Sequence, residues 1–163
     1  MQLLPIYNKN RVIATAICDN KDHTMLSEYR WSFDGKNYVV GYKKGQSRHP
    51  IRMSRLIMDC PRNLQCDHIN HSKCDNRRSN LRIVDNKQNK WNSLKQRTWY
   101  GHPTTSKFKG VSWDKKNKKW MVSLCVDGRR LSLGRYEDEI EAATRYNDVA
   151  KLEYGEYCLL NKI

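Results

Sequence analysis

Trp120, Val122, Leu124 and Val126 alternate with Lys119, Met121, Ser123 and Cys125, and Leu131 and Leu133 alternate with Arg130 and Ser132. A period of two marks strands with one face buried and one free. With Lys107–Trp113 before them, these segments predict three strands joined by turns at Asp114–Asn117 and Asp127-Gly128. The period then changes to that of a helix. Asp138 with Glu141 forms a capping box, and Ile140, Ala143, Tyr146, Asn147 and Ala150 form a stripe ending near Gly155, its alanines small enough to lie close on the sheet.

The first 60 residues read as short extended pieces. Arg11–Cys18 and Tyr38–Tyr42 are rich in β-branched and aromatic residues, and Asp34-Gly35 is a hairpin turn signal. Ile51–Met58, stopped by Pro61, fits a short helix or a strand equally well. Residues 64–92 pass from a short apolar piece through a long polar loop to Asn80–Val84, and Asp85 with Gln88 predicts a helix from about residue 86. The stretch 93–106, with Gly101, Pro103 and hydroxyl residues, reads as a tether.

Charge changes the picture most. The chain has 163 residues and 31 Lys and Arg against 17 Asp and Glu, a net charge of +14. Self-repulsion of that size is tolerable when a polyanion absorbs it, so nucleic acid is the expected partner. Between Lys87 and Lys119 the basic residues meet a single acid, Asp114, and Lys95, Arg97, Trp99 and Tyr100 are candidates for a phosphate-tracking tether. No apolar run is long enough to span a bilayer, and the opening MQLLPIYNKNRV has no signal-peptide pattern. A cytoplasmic protein that meets no membrane is expected, with free thiols among its six cysteines. No cysteine pair has zinc-knuckle spacing.

The residues able to do chemistry are Asp67-His68, Asn80 and Asn89. A carboxylate beside a histidine at a strand end, followed by amides, can set hard oxygen ligands and a base around one phosphate. Such ligands suit Mg²⁺ or Mn²⁺. The strings Asp67–Asn70, Asp75–Ile83 and Gln88–Asn92 together closely resemble the HNH motif of phage and intron-encoded homing-type endonucleases. The resemblance covers about residues 50–95 and implies a ββα-metal fold. It implies His68 as general base, Asp67 and Asn89 as ligands of one Mg²⁺ or Mn²⁺ per site, and Asn80 as the residue bracing the loop and helping to hold the histidine. Ser54-Arg55 stands where relatives often carry His-Arg.

Residues 106–161 resemble a second family, the Apetala and ethylene-response-factor DNA-binding domain, through Phe108–Val111, Lys119-Trp120, Leu133-Gly134, Glu141–Ala143, Tyr146-Asn147, Ala150 and Leu160-Asn161. That resemblance implies a sheet in the major groove with a helix behind it. Lys109, Arg130, Arg135 and Tyr146 match DNA-contacting positions, whereas Ser112, Ser123, Cys125 and Ser132 depart from the plant pattern.

The expected fold is α+β: a small β-rich segment, a ββα-metal module, then a three-stranded antiparallel sheet packed on one α-helix. The expected domains are 1–95, with its motif core at 64–92, a linker at 96–105, and 106–163. The expected function is metal-dependent hydrolysis of double-stranded DNA by a chain favoured as a monomer. Arg77, Arg78, Lys95, Arg97, Lys109, Ser112, Trp113, Lys119, Arg130 and Arg135 are the expected DNA contacts. The alternative is a non-catalytic DNA-binding regulator with a degenerate nuclease module. A basic RNA-binding protein fits the charge but not the two motif sets.

Overall fold

The computed structural model describes residues 1–45, 49–99 and 101–163; Tyr100 lies outside them. The chain folds into two compact units, Met1–Lys87 and Gln88–Ile163, both mixing α and β structure. No helix among the described residues is long and apolar enough to cross a membrane.

The first unit begins with β1 Gln2–Asn8 and β2 Arg11–Cys18, then α1 Asn20–Ser27, β3 Tyr29–Phe33, β4 Val39–Lys43 and β5 Ile51–Arg52. These strands form one sheet in the order β2-β1-β3-β4-β5. Burial alternates as the pattern requires: Leu4, Ile6, Ala16 and Cys18 share a core with Leu26, Trp31, Val39, Met53 and Ile57. The Trp31 indole nitrogen donates to the Leu26 carbonyl at 2.9 Å, which satisfies its one polar group inside that core. Asp34 makes the expected turn between β3 and β4 by side-chain capture, its Oδ1 accepting from the backbone amides of Lys36 and Tyr38. The loop is wider than a two-residue hairpin, since Phe33 pairs with Val39.

Helix α1 was not foreseen from the pattern. Its N-cap residue, Asp19, makes no capping bond to the helix, and its apolar face is little more than Leu26 and the partly buried Met25. The ambiguous segment 51–58 resolves into both alternatives: β5 and then α2 Met53–Met58, closed by Asp59 in the left-handed region. Strands β6 Gln65–His68 and β7 Leu81–Val84 pair antiparallel as a two-stranded ribbon, and α3 Asn86–Trp91 follows. Asp85 Oδ1 accepts from the Lys87 amide at 2.7 Å, where the capping box placed a helix start.

In the second unit, the stretch read as a tether holds a hairpin of β8 Thr98–Trp99 and β9 His102–Pro103. Strands β10 Val111–Asp114, β11 Lys119–Val126 and β12 Arg129–Tyr136 form the expected antiparallel sheet, with α4 Glu139–Tyr154 against it. Phe108, Val111, Val122 and Leu124 meet Ala142, Ala143, Tyr146, Ala150 and Tyr154 in its core. Asp138 caps α4 by accepting from the Glu141 amide at 2.8 Å. The buried stripe differs from the expected one in its first turn: Ile140 is 53% exposed and Ala142 is buried instead. Tyr154 extends it at the other end, its hydroxyl donating to the Cys125 carbonyl at 2.6 Å. Gly110 has a φ of +78°, and a Cβ there would run into the Tyr146 ring, so close packing of that ring demands glycine.

Asn161 fastens the C-terminal tail. Its side chain accepts from the Lys109 amide at 2.7 Å and donates to the Lys109 carbonyl at 3.1 Å, while Asn147 and the Asn161 backbone exchange two more bonds. At about 1 kcal/mol net per bond, Asn161→Ala is expected to cost the second unit about 2 kcal/mol. Urea unfolding of the variant beside the parent chain measures this, and a change within error would show the clamp to be dispensable.

Candidate active site

Strand β6 ends on Asp67 and His68, and its register with β7 sets Asp67 opposite Arg82 and His68 opposite Leu81. Successive strand residues leave the backbone on opposite sides, so the two side chains have separate surroundings. The Asp67 carboxylate oxygen Oδ2 accepts from Arg82 Nε at 3.0 Å and lies 3.0 Å from its terminal nitrogen. Both side chains are largely sheltered from solvent.

His68 is 5% exposed, and burial pushes its pKa below the ordinary 6.5 although Asn76, Asp67 and Asp75 pull the other way. Its Nε2 lies 3.2 Å from Asn76 Oδ1. Asn76 Nδ2 donates to the Lys73 carbonyl at 3.1 Å, which assigns the orientation of the amide and leaves its oxygen facing the imidazole. With that amide oxygen as the acceptor, Nε2 carries its proton toward Asn76, and the bond orients the ring. The Tyr38 ring stands 6.3 Å from the His68 ring, centre to centre.

The long loop between β6 and β7 is held by amides and acids rather than by an apolar core. Asn80 accepts from the Asn70 amide at 3.0 Å and donates to the Asp75 carbonyl at 2.8 Å, bridging the loop's two limbs. Asp75 is 5% exposed and takes two short bonds from the Arg77 guanidinium, which hold its carboxyl below the usual carboxylate range. The loop also borrows the edge of the N-terminal sheet. Ile17 on β2 donates its amide to the Cys74 carbonyl at 2.7 Å and accepts from the Asn76 amide at 2.8 Å. Arg78 grips Asp22 with two bonds of 3.0 and 2.8 Å, and its amide donates to Asp19. A chain of contacts thus runs from β2 and α1 through Asn76 to the His68 imidazole.

Asp67, His68 and Asn80 all lie in the first unit, with Asp67 on Arg82, Asn80 on the loop backbone and Asn76 on the histidine. Asn89 stands half-buried on α3, beyond the boundary, in the second unit. Asn76 and Tyr38 are the site residues that reading the sequence missed. Asn76 lay in the recognised string, but only the fold shows which amide meets the imidazole; Tyr38 gave no signal, being 30 positions away.

The resemblance implies a divalent metal, and the donor chemistry fits one. Among the described residues no three His, Cys, Asp or Glu side chains gather into a cage. A magnesium-type ion needs none, since it keeps several waters and binds through one or two carboxylates and substrate phosphate. Asp67, paired with Arg82, is the carboxylate that the resemblance would give such an ion.

The other expected DNA contacts differ in what they already hold. The Lys109 ammonium donates to the carbonyls of Lys90, Trp91 and Ser93 at 3.3, 2.7 and 2.8 Å, and burial brings its pKa down to about 8. It closes the C-terminal end of α3, where a cation is favoured. Arg135 donates to Asp114 at 2.8 Å, Arg130 to the Ser123 hydroxyl at 3.0 Å, and Lys119 pairs with Glu137. Lys95, Ser112, Trp113 and Arg130 line a cleft of about 760 Å³ at the edge of the sheet. Trp113 is 36% exposed and packs edge-on against Trp120, and Arg97 is exposed.

Over 141 residues, 85% of its length, the chain is 30% identical to a protein of Acanthamoeba polyphaga mimivirus named Uncharacterized HNH endonuclease L560, of which the match spans 70%. It is also 29% identical over 95 residues, 58% of its length, to Protein 3.8 of Escherichia phage T7, covering 74% of that protein. No protein-family profile and no solved structure matches the chain.

Proposed function

The chain belongs to the HNH endonuclease family, and from that premise we propose that it cuts double-stranded DNA by hydrolysing a phosphodiester bond at His68. In this reading β6, β7 and α3 form the ββα-metal module. The single observation that carries it is the His68–Asn76–Lys73 chain, which orients a sheltered imidazole at the end of β6.

His68 takes the proton of an attacking water, and Asn76 accepts from Nε2–H as positive charge develops on the ring. Asn80 and Asp75 keep the loop closed beneath it. Asp67 would hold the metal in the first unit, and Asn89 is the further ligand that the resemblance implies. When bound, the ion supplies electrostatic stabilisation of the phosphate and the departing 3′ oxygen. Arg82 keeps the Asp67 carboxylate in place at the end of β6.

The second unit supplies the grip. With β10, β11 and β12 as its reading surface, Lys95, Arg97, Ser112, Trp113, Lys119, Arg130 and Arg135 are its proposed contacts with backbone and bases. The test is incubation of the full chain with supercoiled plasmid and with phage and bacterial genomic DNA, in Mg²⁺ and in EDTA. Cleavage in Mg²⁺ alone is expected; tight binding with no cleavage of any of these DNAs would favour the regulator instead.

A pH profile gives a second check. Burial lowers the His68 pKa, so the neutral base persists to lower pH than a free imidazole would allow. The acid limb of kcat/KM, which reports the free enzyme, is expected to have its half-point below pH 6.5. A half-point at pH 7 or above, higher than even an unsheltered histidine at about 6.5, would remove His68 from the role.

A further inference from the structure

We propose that the Tyr38 ring, with the Arg52 and Lys73 cations stacked on it, seats a backbone phosphate next to the one held at His68. The proposal rests on the nuclease reading of that histidine. The three residues come from separate places: Tyr38 just before β4, Arg52 at the end of β5, and Lys73 in the loop between β6 and β7. The Arg52 guanidinium carbon lies 3.9 Å from the ring centre and the Lys73 ammonium 4.1 Å from it.

Bringing two cations onto one ring is unfavourable unless something offsets their repulsion. The ring face does so in part. Arg52 also has the Asp34 carboxylate at 3.3 Å, whereas Lys73 donates to a neutral partner, the Lys36 carbonyl, at 2.5 Å. The cluster therefore carries an excess positive charge, with Arg52 held by a carboxylate and Lys73 by a carbonyl, and the His68 ring lies 6.3 Å from the Tyr38 ring. Those distances keep the Lys73 ammonium within about 10 Å of the His68 ring. The phosphate next along a strand is within that reach, since successive phosphates climb about 3.4 Å along the helix axis. A fixed cation there neutralises the neighbouring phosphate and sets the register of the strand at the imidazole.

The test is the salt dependence of binding to a fluorescent duplex of random sequence, measured in EDTA so that nothing is cut. Lys73→Met and Arg52→Met are each expected to make the slope of log affinity against log salt shallower by about 0.9, one phosphate's worth. Arg30→Met is the control, because Arg30 stacks on Tyr7 at 4.4 Å at the β1–β2 turn and should leave the slope unchanged. Thermal melts verify folding; if Arg52→Met melts early, Lys73→Met and Lys73→Gln decide. Wild-type slopes in folded Lys73 variants would overturn the phosphate seat. Plasmid cleavage by the parent chain and its loss in His68→Ala judge the nuclease reading separately, so cutting with unaltered slopes would sink the seat alone, and altered slopes without cutting the reading alone.

Discussion

Replacing His68 by alanine is expected to lower Mg²⁺-dependent plasmid cleavage by about 10²- to 10⁴-fold, the range a positioned general base supplies. Affinity for duplex DNA should change little, because phosphate contacts dominate it. Water is a poor nucleophile until a neighbouring base accepts its proton, and the Asn76 bond orients the imidazole proposed to accept it. The substitution also empties a buried position and leaves Asn76 Oδ1 without its imidazole partner, a loss of about 1–3 kcal/mol of stability. A melt must therefore accompany the rate, and His68→Gln, which keeps a polar group on the strand, separates lost chemistry from lost folding. Equal cleavage by the parent and both folded variants would take the base elsewhere.

How far the sequence foretold this site depends on the range of each interaction. Strands β11 and β12, the start of α3 and most of the frame of α4 were legible because alternation and capping are written within a few residues: Asp138 caps three positions ahead, and Asp85 bonds two positions ahead. Asp67 and His68 were legible as a motif. Helix α1 was not, because Asp19 spends its side chain on the amide of Arg78, 59 positions away, instead of capping the helix it precedes. For the same reason Asn76 and Tyr38 could not be assigned to His68. An amide among several in a polar loop, and a tyrosine in a distant hairpin, acquire their roles only when the loop docks on β2 through Ile17. Lys109 shows the converse: its place in a recognisable string pointed outward to DNA, and the fold turns its ammonium to the end of α3.

Arg78→Ala is expected to destabilise the first unit by about 2–3 kcal/mol, because it strands the Asp22 carboxylate. Asp22 has a side chain only 5% exposed, whereas that of Arg78 is 40% exposed. Breaking a fully buried pair costs about 3–5 kcal/mol, and water reaching the open side of Arg78 reduces that figure. For a unit of this size about 2 kcal/mol corresponds to roughly 10 °C in Tm. Asp22→Asn in the Arg78→Ala background removes the stranded charge and should recover part of the loss, which distinguishes charge burial from mere loss of packing. Cleavage should fall with the same substitution, since the Arg78 guanidinium ties the loop that carries Asn76 to Asp22 on α1, although the backbone amide of residue 78 can still donate to Asp19. A contact with DNA would leave a different signature: an unchanged Tm and a salt slope shallower by about 0.9. That pattern would assign the Arg78 guanidinium to a phosphate, and the loop would then have to be held by Asn80, Asp75 and the edge of β2 alone.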